Sequence, residues 1–189
     1  MINHLLRNPL LLPWRRRDLR AIRLLVCDVD GVLTDGGLHY DAQGQVLKRF
    51  DVRDGLGIRM LQRAGVEVAL LSGRRSGAIE HRAAHLDIRH CLVGVGDKLK
   101  ALQQLQAGLP CTRKQTAFIG DDLNDLTVRP AAGLLISPAD GSPALRRQAD
   151  WVLRRRGGDG AVREVAEALL HQRELGRELN RDGWREGNA

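Results

Sequence analysis

The chain has 189 residues, 43% of them hydrophobic and 28% charged, which fits one soluble domain with a core of ordinary size. Aromatic residues are only 3%, so stacking platforms for single-stranded nucleic acid are not expected. The formal net charge is +7, and residues 1–20 supply +4 of it, with Arg7, Arg15, Arg16, Arg17 and Arg20 against Asp18 alone.

That stretch reads as a basic N-terminal arm held in solvent, with nucleic-acid binding the minor possibility. It has apolar residues but no signal core, because Arg7, Asn8, Pro9 and Pro13 interrupt it and its charges follow rather than precede. No stretch approaches the ~20 apolar residues of a membrane span, so neither membrane nor nucleic acid is an expected partner. Cys27, Cys91 and Cys111 are odd in number and widely spaced, which argues against a disulfide framework or a zinc site. A reducing, cytoplasmic location follows as the expectation.

The first buried strand spans Ile22–Cys27 and stops at Asp28 and Asp30, one residue apart and followed by Gly31. Two carboxylates there repel each other and lose hydration, which a chain tolerates if they face water or meet a cation. "LHYDAQGQVLKRF", residues 38–50, alternates polar and apolar residues around a glycine-containing turn. It predicts a β-hairpin, inserted after the first strand over 36–50. After "DVRDG", Leu56, Met60, Leu61 and Ala64 form one helical face that Gly65 ends.

Val66–Leu71 predicts the next strand and leads into Ser72-Gly73-Arg74. Cys91–Val93 is a further strand, and Leu99, Leu102 and Leu105 mark a helix that begins near Lys98 and ends at Gly108 and Pro110. Thr116–Ile119 runs into "GDDLND", residues 120–125, and Leu134–Ile136 is the last apolar run of strand length. Gly157, Gly158 and Gly160 form a loop before a terminal helix with Val162, Val165, Ala166 and Leu169 on one face; residues 178–189 read as a frayed tail. The expected organisation is an arm over 1–20, a domain over 21–177 and that tail.

Alternating strands and helices predict an α/β fold, a doubly wound parallel sheet covered on both faces. Ligands of such sheets bind beyond the carboxyl ends of the strands. The strand ends here carry Asp28, Asp30, Asp121, Asp122, Asp125, Ser72 and, at a helix start, Lys98. Carboxylates at that density need a cation, and hard oxygen ligands select Mg²⁺. With Ser72, Lys98 and backbone N–H groups they make a phosphate cradle.

"DVDGVLTD", the Ser72 turn, Lys98 and "GDDLND", in this order, resemble the four motifs of the haloacid dehalogenase superfamily of phosphohydrolases over residues 22–170. The resemblance implies Asp28 as nucleophile and Asp30 as general acid and base. It implies Mg²⁺ on Asp28, the Asp30 carbonyl and Asp121, with Ser72 and Lys98 on the phosphoryl oxygens. Asp125 and Asp122 would stand behind the metal ligands, Asp125 orienting Lys98 or a metal water and Asp122 with no specific role. "VRDG" after a hairpin, "GR" after Ser72 and "GAVREV" in the tail narrow the likeness to phosphatases of 3-deoxy-D-manno-octulosonate 8-phosphate. These imply a domain with no separate cap and a homotetramer joined through the hairpins, whose exposed edges also want partners. They place substrate contacts on Asp30, Asp51, Val52, Arg53, Asp54, Gly55, Arg59, Arg74, Arg82 and Lys98.

Simpler readings compete. Asp54 makes a good helix N-cap, and Arg59 and Arg82 suit a solvated helix face. Cys27 suits the core. Asp51 adds a negative charge where the family has asparagine, and Leu56 stands where it has an aromatic. A receiver-type phosphoaspartate switch uses related groups, but Asp30 favours turnover over storage. Intact motifs argue against a non-catalytic scaffold on the same fold. A phosphatase of a nine-carbon keto-acid sugar phosphate would use the same chemistry. Arg53, Arg59, Arg74 and Arg82 favour a substrate with a carboxylate, which the guanidinium fork matches in two parallel bonds.

Overall fold

The computed structural model describes residues 19–44 and 46–171, with 173, 176, 178, 179, 181, 183 and 184 beyond them. The basic arm therefore lies almost wholly outside the described residues, as does much of the tail. The described residues include eight strands: β1 Leu24–Cys27, β2 His39–Tyr40, β3 Val46–Leu47, β4 Glu67–Ser72, β5 His90–Val93, β6 Thr116–Ile119, β7 Leu134–Ser137 and β8 Trp151–Val152. The α-helices are α1 Val52–Arg63, α2 Gly77–His85, α3 Lys98–Gly108, α4 Pro143–Gln148 and α5 Ala161–His171.

Six strands form one parallel sheet in the order β5-β4-β1-β6-β7-β8. Strands β1, β6 and β7 are buried along their whole length, as expected of strands covered on both faces. Alternate residues serve the two faces. Leu25, Cys27, Leu70 and Ile119 pack with Ile58 and Leu61 of α1, Ile79 of α2 and Val165 of α5. Leu24, Val26, Leu71 and Phe118 pack with Leu102 and Leu105 of α3, Val128 and, on α4, Leu145. The fold is the doubly wound α/β sheet that the sequence predicts.

The register sets the site. Cys27 pairs with Leu70 on one side and with Ile119 on the other. Asp28, Ser72 and Gly120 therefore leave their strands on the same edge. The hairpin pairs His39 with Leu47 and Tyr40 with Val46, so its strands are two residues each, shorter than the alternating pattern implied. No second domain lies over the sheet edge among the described residues. Strand β8 lies in the three-residue apolar run Trp151-Val152-Leu153, which is not among the predicted strands; it extends the sheet by pairing Trp151 with Ile136.

Candidate active site

Asp28 follows β1 and is 5% exposed; its main-chain N–H donates to Ile119 O at 2.9 Å. The chain then turns sharply, with Leu33 and Thr34 N–H both donating to Val29 O. Gly31 sits in this turn at φ +80°, and a Cβ there would lie 2.1 Å from Asp121 Oδ2. The position needs glycine for both its conformation and the approach of Asp121. Gly157 and Gly158 pack on the same turn, where Gly158 N–H donates to Val32 O at 2.9 Å and a Cβ on Gly157 would fall 1.9 Å from Gly31 O.

Lys98, the first residue of α3, is 4% exposed. Its ammonium lies 3.1 Å from Asp28 Oδ1 and donates to Asp125 Oδ1 at 2.6 Å. Burial alone would lower the Lys98 pKa, but Asp28 and Asp125 outweigh it and hold it above its usual value. The other oxygen of Asp125 accepts from Asp121 N–H at 2.9 Å and Asp122 N–H at 3.3 Å. Asp122 caps the short 3₁₀ helix Leu123–Val128, accepting from Leu123 N–H at 2.8 Å. Asp122, expected behind the metal ligands with Asp125, thus has a structural role as a helix cap.

Asp28, Asp121 and Asp125 each bring a carboxylate oxygen within 4.8 Å of the others. Burial, with Asp125 adding repulsion, pushes Asp28 up to about 6. Burial and the charges of Asp28, Asp125 and Asp122 push Asp121 up to about 7. The lone ammonium of Lys98 does not balance this cluster, and a hard divalent cation would. Both oxygens of Asp125 already have protein donors, so Asp28 and Asp121 are the carboxylates suited to a cation. The donor set is all oxygen and fits Mg²⁺.

Ser72 ends β4, 1% exposed, and its Oγ accepts from Arg74 N–H at 3.2 Å. The Asp30 carboxylate bonds Lys48 of the hairpin and lies 3.9 Å from Arg74 Nε. Sequence reasoning does not reach Lys48; its only signal is being one of four lysines in a chain of 26 arginines.

The segment 51–55 lies at the start of α1. Asp51 is the N-cap, accepting from Arg53 N–H at 2.7 Å, and also holds the Arg53 guanidinium at 2.8 and 3.0 Å. Those hydrogen bonds keep Asp51 below the usual carboxylate range. Its extra negative charge is thus met within the chain. Arg53 also binds Asp159, and Val52 is 79% exposed. Asp54 does not cap α1, as its place in the sequence suggested, because Asp51 does. Its oxygens instead accept from Gly160 N–H at 3.3 Å and Arg163 N–H at 2.8 Å, capping α5. Burial pushes Asp54 up to about 6.

Arg82 leans over Gly55, where a Cβ would come 2.5 Å from its Nη2. It donates to Asp51 O at 3.2 Å and stacks 5.6 Å from the Phe50 ring centre. Arg59 is not among the residues brought to the strand ends. It donates to His85 O at 2.8 Å and lies 3.4 Å from Asp87, at the end of α2 that points away from them.

A sequence profile of the haloacid dehalogenase-like hydrolases matches residues 92–165. The 3-deoxy-D-manno-octulosonate 8-phosphate phosphatase of Yersinia pestis is 48% identical over 149 residues, 79% of this chain and 80% of that one. The enzyme of the same name from Haemophilus influenzae is 44% identical over 155 residues, 82% of this chain and 86% of its own. The chain belongs to this phosphatase family. Among solved structures, that of the family member from Moraxella catarrhalis has a TM-score of 0.85 at 36% identity, covering 90% of this chain and 97% of its own. It is in complex with magnesium, phosphate and the sugar acid KDO. The Haemophilus influenzae phosphatase, in a cobalt-bound form, has a TM-score of 0.81 at 43% identity, covering 84% and 92%.

Proposed function

We propose that this chain hydrolyses 3-deoxy-D-manno-octulosonate 8-phosphate to the free sugar acid and phosphate, with Mg²⁺, in the synthesis of lipopolysaccharide sugar. The observation that carries the chemistry is Lys98 buried between Asp28 and Asp125, with Asp121 beside them at the sheet edge. Identity of 44–48% to phosphatases of that name supports the substrate.

Asp28, Asp121 and the Asp30 carbonyl would hold Mg²⁺, which supplies neutralising charge for two anions brought together. Asp28 attacks phosphorus in line, forming an aspartyl-phosphate. Lys98 holds Asp28 in position and offers its remaining hydrogen to a phosphoryl oxygen; Ser72 Oγ offers another. Asp30 protonates the departing C8 oxygen, then takes a proton from the water that hydrolyses the intermediate. Asp125 fixes Lys98 and the main chain at Asp121, so it acts on the reaction through them.

Arg74, on the loop after Ser72 with its side chain 64% exposed, would meet the substrate carboxylate. The same reading includes a homotetramer joined through the hairpins, supported by Tyr40 and Leu47, 63% and 61% exposed. A reducing, cytoplasmic setting suits three free cysteines. The test is kcat/KM on a panel of sugar phosphates. The octulosonate 8-phosphate should lead nine-carbon keto-acid 9-phosphates and exceed hexose 6-phosphates by at least a hundredfold. A hexose phosphate at the head of the panel would reject the substrate.

A further inference from the structure

We infer that Lys48 of the hairpin is a positioning residue for Asp30, holding its carboxyl where the departing oxygen must receive a proton. The inference rests on the reading of Asp30 as acid and base.

Lys48 immediately follows β3, and its side chain is 1% exposed, while that of Asp30 is 21% exposed. An ammonium taken from water needs a partner, and its hydrogen-bond partner here is Asp30 Oδ1. Arg74 faces the other oxygen, but at 3.9 Å and with a side chain 64% exposed, so it constrains Asp30 far less. Both cations line one cavity of about 210 Å³, with Tyr40 and Val46 of the hairpin and Ser76 across it. Asp30, 21% exposed and two residues from Asp28, is thus held by one lining residue of that cavity and faced by another.

Asp30 stands on a turn, and its carboxyl can rotate about two side-chain bonds. Proton transfer needs it within hydrogen-bond reach of one oxygen, and a misplacement of about 1 Å costs on the order of 100-fold. A buried, charged contact from a second segment supplies that restraint. The hairpin thus reaches the active site of its own chain.

The test compares kcat/KM, which counts steps only through phosphoryl transfer, on two substrates. The octulosonate 8-phosphate has a poor alkoxide leaving group and needs the proton. p-Nitrophenyl phosphate has a good leaving group and does not. Lys48→Met should lose on the order of 10–100-fold on the sugar phosphate and under about threefold on the aryl phosphate. In the Asp30→Asn background, Lys48→Met should cost nothing further. Lys48→Gln serves in its place if Lys48→Met lacks a cooperative thermal transition. Equal losses on both substrates, no loss on either, or a further loss in the Asp30→Asn background would overturn the inference. If Asp30→Asn alone spares the sugar phosphate, the reading of Asp30 itself fails, a result separate from any obtained with Lys48.

Discussion

Replacing Asp121 by asparagine should stabilise the metal-free protein and abolish its response to Mg²⁺. Burial and the neighbouring carboxylates push Asp121 up to about 7, against 3.8 for an ordinary aspartate. Three decades of proton affinity correspond to ~4 kcal/mol at full weight. Asp121 is only partly buried, and solvent screening reduces this to ~1–2 kcal/mol. For a chain of this length that is ~2–8 °C in Tm. The sign follows from the folded value lying above the unfolded one. The proton binds the folded chain more tightly, so this stability is full below about pH 4 and is lost as pH rises through about 7. Asp28, at about 6, moves the same way. In EDTA the wild type should therefore melt higher at pH 5 than at pH 8, and Asp121→Asn should flatten that slope. Mg²⁺ at pH 8 should raise the wild-type Tm and leave the variant unmoved. Calorimetry across pH 5–8, with EDTA or Mg²⁺, measures all of this. If Asp121→Asn melts below wild type in EDTA at pH 8, or keeps the Mg²⁺ response, the repulsive cluster is not a cation site.

Asp125→Ala should cost ~3–5 kcal/mol in chemical denaturation, because it leaves a buried ammonium with one partner and removes the acceptor of two N–H groups. Gly31→Ala should cut kcat/KM by at least 100-fold with little change in secondary structure by circular dichroism, since its Cβ would displace the Asp121 carboxylate. Arg74→Ala should lower kcat/KM for the sugar phosphate by roughly 10- to 100-fold, the value of one charge-assisted contact, and barely affect p-nitrophenyl phosphate. Arg59→Ala should instead cost ~0.5–1.5 kcal/mol of stability through the lost bond to His85 O, with both substrates affected alike.

Much of this site is legible in the amino-acid sequence, because strand ends are. Asp28, Ser72 and Gly120 each follow an apolar run, and parallel strands must deliver their ends to one edge. Lys98 announces itself as a helix start. What sequence order hides is contact at long range. Asp54 and its partners Gly160 and Arg163 are more than 100 residues apart, so its capping of α5 resembles an ordinary cap for its own helix. Arg59 has the charge to bind a carboxylate, yet its place two turns into α1 directs it to the far end of α2. Lys48 lies in a short polar hairpin where lysine ordinarily faces solvent, and only the folded return of β3 toward the Asp30 turn shows otherwise. Strand β8 takes its form from pairing with β7; its apolar run, Trp151-Val152-Leu153, is too short to carry a periodicity and follows a polar stretch.

Phosphate release from 3-deoxy-D-manno-octulosonate 8-phosphate by the purified chain is the most direct measurement. Release should require Mg²⁺, stop in EDTA, resume when Mg²⁺ is restored in excess, and fall at least 1,000-fold in Asp28→Asn while the thermal transition persists. A wild-type chain that releases no phosphate with Mg²⁺ present, or an Asp28→Asn variant that retains more than a few per cent of the rate, would contradict the account.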